Sequence, residues 1–441
     1  MNTRDSCRIT PAPSETLEVP ATPETLAPAA ALTPAAPPAA ERPDCERPGT
    51  PADSATSPAS PAPEMPAAQA PASDPLAAGG SAAEGPAPDT RPCLLEYSRS
   101  ELAECLAELG QKPFRATQLA EWIWKHRAAD FAAMSNLPPD LRAKLAERYI
   151  LRPLELVEIS QSSSGSTRKF LSRLRDGHLI ESVIIPAATG QGGAHSSRLT
   201  LCVSSQVGCA FRCRFCASGL LGFTRHLSAS EIIAQILLAE QIAGERIDNL
   251  VFMGMGEPLD NIDNLLRALS IILDQQALNI GARHITISTS GNVPGLRRLA
   301  AFGKPLRLAV SLHGASDDIR NRVMPVNRKW PLSELLPALR AWTRTSKHMI
   351  TLEYILIKDV NAMLPEARKL AAIARDLNAK VNLIPYNTVD GLPWQRPDED
   401  ACRAFCRILL NEHIPVTMRY EKGHDINAAC GQLRLRRERR G

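Results

Sequence analysis

Three cysteines stand close together in the run Cys209-Ala-Phe-Arg-Cys213-Arg-Phe-Cys216. Clustered thiolates are soft ligands that bind zinc or iron–sulfur centres. Structural zinc asks for four closed ligands, commonly as two separated pairs. No second pair follows this triplet at such a spacing, and Cys202 lies upstream in what reads as a strand. Three thiolates could also hold a four-iron cubane with one iron open to a substrate, and the spacing alone leaves both centres open. Such a cubane does chemistry instead of only carrying electrons.

Further groups recur along the chain. Met253-Gly-Met-Gly-Glu-Pro258 joins glycines, which let backbone approach a ligand, to Glu257, which can accept from an ammonium. Ser288-Thr-Ser-Gly291, Ser311-Leu-His-Gly314 and Leu383-Ile-Pro-Tyr-Asn387 are other short polar runs. Cys202 lies in Leu201-Cys-Val-Ser-Ser-Gln-Val-Gly-Cys209, and Cys430 in Asp425-Ile-Asn-Ala-Ala-Cys-Gly-Gln-Leu433. Free cysteines are commonly buried and inert. Cys430, set among small residues, instead has the surroundings of a reactive thiol. Cys402 and Cys406 lie four apart on a helical pattern with no third ligand near, which predicts buried thiols.

The elements that must position these groups follow from the apolar pattern. Strands are predicted over Leu199–Ser204, Asn249–Met253, His284–Ser288, Leu306–Leu312, Ile350–Ile357, Lys380–Ile384 and Val416–Tyr420. Helical patterns such as Ala229–Ala243 and Leu332–Thr343 alternate with them. Repeated βα units make a parallel sheet closing toward a barrel, with chemistry at the C-terminal strand ends. The polar runs fall at those ends. The expected fold class is α/β, a partial (β/α)6 barrel over 195–433.

Ahead of the barrel, Ser98-Arg-Ser-Glu101 reads as a capping box, and Leu119, Trp122, Ile123 and His126 recur at helical spacing. A small helical domain is expected over 93–152, its aromatics mainly core, with Lys112, Arg115, Lys125 and Arg127 as candidate phosphate contacts. Lys169-Phe-Leu-Ser-Arg-Leu, a turn at Arg175-Asp-Gly-His and Leu179–Ile185 predict a β-hairpin extension over 154–194. Residues 1–91 are rich in Pro and Ala, too poor in large apolar groups for a core, and read as a disordered tail.

Composition narrows the setting. No run of about 18 apolar residues suggests a membrane span, and the first residues lack the apolar segment of a secretory signal. With 11 cysteines, the chain is expected to be cytoplasmic, where clustered thiols mean metal or catalysis. The net charge of +4 is uneven: residues 1–91 hold 5 basic and 12 acidic side chains, leaving 46 basic against 35 acidic beyond them. A basic body suits a polyanion. The basic segment 434–441, with Arg434, Arg436, Arg437, Arg439 and Arg440, adds to it.

With these residues in view, the chain resembles the RlmN/Cfr family of radical S-adenosylmethionine (SAM) methyltransferases that act on RNA adenosine. The resemblance covers about 95–433 and rests on Val203-Ser-Ser-Gln-Val-Gly-Cys-Ala, Phe252-Met-Gly-Met-Gly-Glu-Pro-Leu and Ala429-Cys-Gly-Gln-Leu. It implies a radical SAM barrel with a helical RNA-binding domain, one [4Fe-4S] cluster on Cys209, Cys213 and Cys216, and methylation at C2 of adenosine. The implied substrates are 23S rRNA and the tRNA adenosine 3′ of the anticodon. SAM contacts carry over to Gly256, Glu257, Ser288, Ser311, Leu312, His313 and Asn387, with Glu257 on the amino group.

Adenine C2 is electron-poor and does not attack a methyl group as a nucleophile does. The resemblance implies that Cys430 first takes a methyl from one SAM. A second SAM, cleaved by one electron, yields a 5′-deoxyadenosyl radical that takes hydrogen from this S-methylcysteine. The methylene radical adds to C2, Glu181 accepts a proton, and Cys202 frees the product through a transient disulfide with Cys430. A flavodoxin-type electron donor and a monomer away from any membrane are also implied. The C8-methylating branch shares these features. A zinc-stabilised RNA-binding protein is the alternative from another class. The Gly190–Ser197 loop is longer than the family pattern.

Overall fold

The computed structural model describes residues 89–162, 167–187, 198–220, 222–346, 348–387 and 392–419. The expectations for residues 1–88, Gly190–Ser197, Cys430 and 434–441 fall outside them.

Three helices open the described chain: α1 (Arg99–Glu108), α2 (Phe114–Trp124) and α3 (Pro139–Arg148). Ser98 caps α1 as its sequence predicts. Its hydroxyl accepts from the Glu101 amide, and the Glu101 carboxylate accepts from the Ser98 amide at 2.7 Å. Leu102, Leu106, Leu119, Ile123, Leu141 and Leu145 fill the space between these helices. Trp124 and Phe131 are buried, and the half-buried Trp122 donates its indole N–H to Asn136 at 2.6 Å. Arg127 departs from expectation. It pairs with Glu240 at 2.9 Å and donates to the Trp124 carbonyl, so it serves packing and not a solvent-facing phosphate site. Lys112 and Lys125 are exposed.

Next come three antiparallel strands, β1 (Leu154–Gln161), β2 (Arg168–Leu174) and β3 (Leu179–Pro186). β2 and β3 are the predicted hairpin. Gly177 takes the turn at φ +86°, a left-handed conformation that suits glycine. β3 pairs antiparallel with β4 (Leu199–Cys202), so the extension is continuous with the main sheet.

After β4 come β5 (Gln206–Gly208), α4 (Ala217–Leu220), β6 (Phe223–His226), α5 (Ala229–Ala243) and β7 (Asn249–Phe252). The βα alternation continues with α6 (Ile262–Leu273), β8 (Ile285–Thr289), α7 (Val293–Ala301), β9 (Arg307–Ser311), α8 (Asp317–Val323) and α9 (Leu332–Thr345). It closes with β10 (Thr351–Leu356), α10 (Leu364–Asp376), β11 (Lys380–Pro385), α11 (Glu399–Asn411) and β12 (Val416–Met418). The large sheet runs β1-β2-β3-β4-β7-β8-β9-β10-β11-β12, parallel from β4 onward. β5 and β6 form a separate antiparallel pair. The fold is α/β, with six βα units from β4 to α11 and β12 after them.

α5 shows how the extension is fixed to the barrel. A capping box at Ser228 and Glu231 starts this helix, and Gly244 at φ +74° ends it. Gln235, fully buried on α5, accepts from the Ser182 hydroxyl at 2.9 Å and from the Ser204 amide at 2.8 Å. Its own amide donates to the Ser204 carbonyl at 3.0 Å. One side chain thus satisfies groups on β3 and on the turn after β4, where water cannot reach. Gln235→Leu removes these partners together. Chemical denaturation is expected to show a loss of about 3 kcal/mol, since each stranded buried group costs about 1–3 kcal/mol.

Candidate active site

The cysteine loop leaves β5 and ends in α4. Gly208, at φ +79°, lies so close to the Gly222 carbonyl that a Cβ would come within 1.8 Å of its oxygen. The Cys209 amide donates to that same carbonyl at 2.7 Å, and the Cys216 amide donates to the Cys213 carbonyl at 3.0 Å. This tight backbone turns Cys209, Cys213 and Cys216 into one cavity of about 240 Å³ at the C-terminal strand ends. Gly256, Glu257, Ser288, Ser311 and His313 line the same cavity. A larger cavity of about 970 Å³ lies between the N-terminal helices and α5 and α6, but holds none of these groups.

Burial pushes the Cys209 thiol up to about 12, and the neighbouring Cys216 adds to the effect. Cys213 is pushed still higher by burial and by both other cysteines. Thiolates crowded in such a place need compensating cations, which a metal cluster supplies. Among the described residues, no three His, Cys, Asp or Glu side chains converge as ligands of a single ion. Three thiols lining one cavity fit an iron–sulfur cluster, which Cys209, Cys213 and Cys216 would hold.

Opposite the thiols, two glycines after β7 admit close backbone contact. A Cβ on Gly254 would lie 2.7 Å from Val203 and Ser204, and one on Gly256, at φ +102°, would lie 2.5 Å from Gln206. Gln206 accepts from the Glu257 amide at 2.8 Å and so aims that residue. The Glu257 carboxyl accepts from the amides of Leu259 at 3.1 Å and Ser290 at 2.7 Å. Burial outweighs these bonds and pushes it up to about 7.

His313 sits in the left-handed region at φ +54° and is buried. Its Nδ1 accepts from the Ile355 amide at 3.0 Å, which leaves the proton on Nε2. Burial, with Arg320 nearby, lowers it to about 3, so the ring is a neutral donor. Ser288 and Ser311 face the cavity. Leu312 is buried behind it and offers its carbonyl to Arg320. Asn387, half-buried beyond β11, is not among the residues lining the cavity. Cys402 is buried, as its pattern predicts, and Cys406 is half-buried.

Two of the remaining predicted residues lie at the seam between extension and barrel. Cys202 ends β4 and Glu181 lies on β3, buried and 2.5 Å from the equally buried Lys169 ammonium. Burial pushes the Cys202 thiol up to about 11, against the pull of Arg419. Arg419 also lines the cavity, which links the seam to the cluster side.

Sequence reasoning missed several of these groups. Arg320 is fully buried and donates to the carbonyls of Ser290 at 2.6 Å, Ser311 at 3.0 Å and Leu312 at 2.7 Å, clamping the ends of β8 and β9. Within Ile319-Arg-Asn-Arg322 it looks like any helix-surface arginine. Glu353 also lines the cavity, and its Oε2 is buried without a hydrogen-bond partner among the described residues. Lys169 was not legible either, because its face of the strand, Thr167, Lys169, Leu171 and Arg173, alternates like a solvated one.

Residues 93–151 match the ribosomal RNA large subunit methyltransferase N-terminal domain, and residues 203–371 match the radical SAM superfamily. A probable dual-specificity RNA methyltransferase RlmN of Akkermansia muciniphila is 60% identical over 347 residues, 79% of this chain and 96% of the relative. A probable dual-specificity RNA methyltransferase RlmN 3 of Opitutus terrae is 49% identical, over 79% of this chain and 96% of its own. A crystal structure of a radical SAM methyltransferase from Sphaerobacter thermophilus is 42% identical. It covers 77% of this chain and 98% of its own, with a TM-score of 0.73.

Glu257 generates a pH prediction. Its carboxyl titrates near 7, so it is protonated in mild acid and charged above neutrality. An ammonium ligand is held by the charged form. SAM affinity of the cluster-loaded protein is expected to rise about fivefold from roughly pH 6 to pH 7, as linkage requires. Calorimetry of SAM binding measures this, and Glu257→Gln should flatten the dependence.

Proposed function

Because the chain belongs to the RlmN family of radical SAM RNA methyltransferases, we propose that it methylates C2 of adenosine in 23S rRNA and in tRNA, with Cys430 as methyl carrier and Cys202 as resolving thiol. The tRNA target in this reading is the adenosine 3′ of the anticodon. The observation that carries it is the division of labour around one cavity. The three thiols, Glu257 and Arg419 line the same cavity, and the Arg419 charge is felt at Cys202, as is that of Glu181.

When bound, the cluster and SAM supply a carbon radical that an ordinary acid or base cannot generate. Around them the chain binds and orients. Glu257 accepts from the amino group of SAM, and neutral His313 offers its Nε2–H without competing for protons. Ser288 and Ser311 present hydroxyls to the ribose or carboxylate. Leu312 closes the rear wall against water.

Cys202 and Glu181 finish the reaction in this reading. The Cys202 thiol, pushed up to about 11 by burial, stays protonated and so does not attack early. Glu181 takes the C2 proton, and Cys202 then displaces the product from Cys430 as a disulfide. An external electron donor returns both thiols.

Nucleoside mass spectrometry of rRNA and tRNA, from cells with and without the protein, tests the substrates. Loss of 2-methyladenosine from both RNAs is expected, whereas 8-methyladenosine would assign the C8-methylating chemistry instead. In vitro, Cys430→Ala should still cleave SAM slowly while methylating no RNA. Methylated product from that variant would remove Cys430 from the carrier role.

A further inference from the structure

A fully buried lysine stands beside the two residues assigned to the end of the reaction. Lys169 on β2 places its ammonium 2.5 Å from the Glu181 carboxylate on β3, with side-chain exposures of 0% and 2%. In the strand register Lys169 faces Val183, and Val183 faces Cys202 on β4. Paired residues on neighbouring strands point to the same side, as do residues two apart on one strand. Lys169, Glu181, Val183 and Cys202 therefore share one face of the sheet, at the seam where the extension joins the barrel.

Their charges act on one another. After burial, the influences on the Cys202 thiol are Arg419 and Lys169, which favour its ionised form, the Met253 backbone, which does the same, and Glu181, which opposes it. Taking an ion pair out of water is costly, and apolar replacements for such pairs often stabilise a fold. Fold stability thus gives no reason for a charge at Lys169. Chemistry gives two. A solitary carboxyl in a dry site holds its proton and cannot accept another. A buried thiol needs a nearby cation to become a nucleophile.

We propose that Lys169 is a positioning residue that couples the last two steps, holding Glu181 ionised to receive the C2 proton and favouring the Cys202 thiolate once that proton has neutralised Glu181. Proton arrival at Glu181 removes a charge that opposes the Cys202 thiolate. The order of events is built into the pair: proton transfer first, sulfur attack second. This inference rests on the roles given to Cys202 and Cys430 above.

The step balances. The Cys202–Cys430 sulfur–sulfur bond forms as the bond from the Cys430 sulfur to the methylene carbon breaks. That carbon gains one proton, equivalent to the one Cys202 gave up, and becomes the methyl group. The C2 proton rests on Glu181, and the single remaining electron would be taken up by an oxidised iron–sulfur cluster held on Cys209, Cys213 and Cys216.

The test compares full-length, cluster-loaded protein with SAM, dithionite and a tRNA substrate. The variants are Cys202→Ala, Lys169→Met, Lys169→Arg and the double variant Lys169→Met with Glu181→Gln. Denaturing gels read protein–RNA adduct, mass spectrometry reads Cys430 methylation, and chromatography reads SAM cleavage and methylated nucleoside. Lys169→Met should keep SAM cleavage and Cys430 methylation within about twofold of the parent. It should accumulate adduct as Cys202→Ala does, with release of methylated RNA down about tenfold or more. Lys169→Arg, which keeps the charge, should recover part of that release. The double variant, which buries no lone charge, should also accumulate adduct. Normal release from Lys169→Met or from the double variant overturns the proposal. Equal losses of SAM cleavage and release also overturn it, by assigning the lysine to the fold. Absence of adduct in Cys202→Ala would instead refute the resolving role of Cys202, upstream of any role for Lys169.

Discussion

Desolvation shifts most ionisable groups of this site toward their neutral forms, and the rest of the chemistry depends on that. Burial pushes Cys202, Cys209, Cys213, Glu257 and Glu353 upward and pushes His313 downward. In water these groups would settle their charges independently. In a dry cavity each waits for a partner of opposite charge. In the proposed function, iron meets the thiols and an ammonium meets Glu257. Lys169 and Glu181 are the exception, since they arrive already paired. A site built this way ionises more readily when its ligands are present, which limits stray nucleophiles and protons in the wrong place.

Such dryness requires strand ends that do not fray. Short loops after β8 and β9 carry carbonyls with few sequence-local partners, and Arg320 supplies the missing donors from the helix that follows. Gln206 does the same for Glu257, and Gln235 for the turn after β4. These side chains touch no reacting atom, yet they fix the backbone from which the reacting groups project. The glycines of the β7 loop complete this by removing Cβ atoms where strands and loop meet at under 3 Å.

Much of this was legible in the sequence, for reasons that are local. α5 begins and ends where its helical pattern places it, at Ala229–Ala243. The predicted strands all appear, most ending a residue or two early because their last residues turn to make loop or side-chain bonds, as Ser204 does with Gln235. The cysteine triplet, the Gly256-Glu257 pair and His313 were legible because their neighbours are chemically unusual. Arg320, Glu353 and the structural duty of Arg127 were not. Their partners lie on other elements, such as Ser290 for Arg320 and Glu240 for Arg127, and no linear pattern marks such a meeting.

The sheet order adds a constraint that connects fold to substrate. No pairing joins β1 to β12 among the described residues, so the described sheet is an open arc with the antiparallel strands β1, β2 and β3 along one margin. A closed barrel of parallel strands presents its chemistry only at one mouth. An open arc can also admit a bulky substrate from the side, and a nucleobase that must leave its stack needs that room. Openness conflicts with dryness, because an edge admits water. The extension answers the conflict by lengthening the wall on the Cys202 side. Val183 packs between Lys169 and Cys202 in register, with Gln235 sealing the polar groups behind them. The extension strands thus do more than decorate the barrel: they turn its first edge into an interior, where a lysine and a glutamate can face a thiol without water between them.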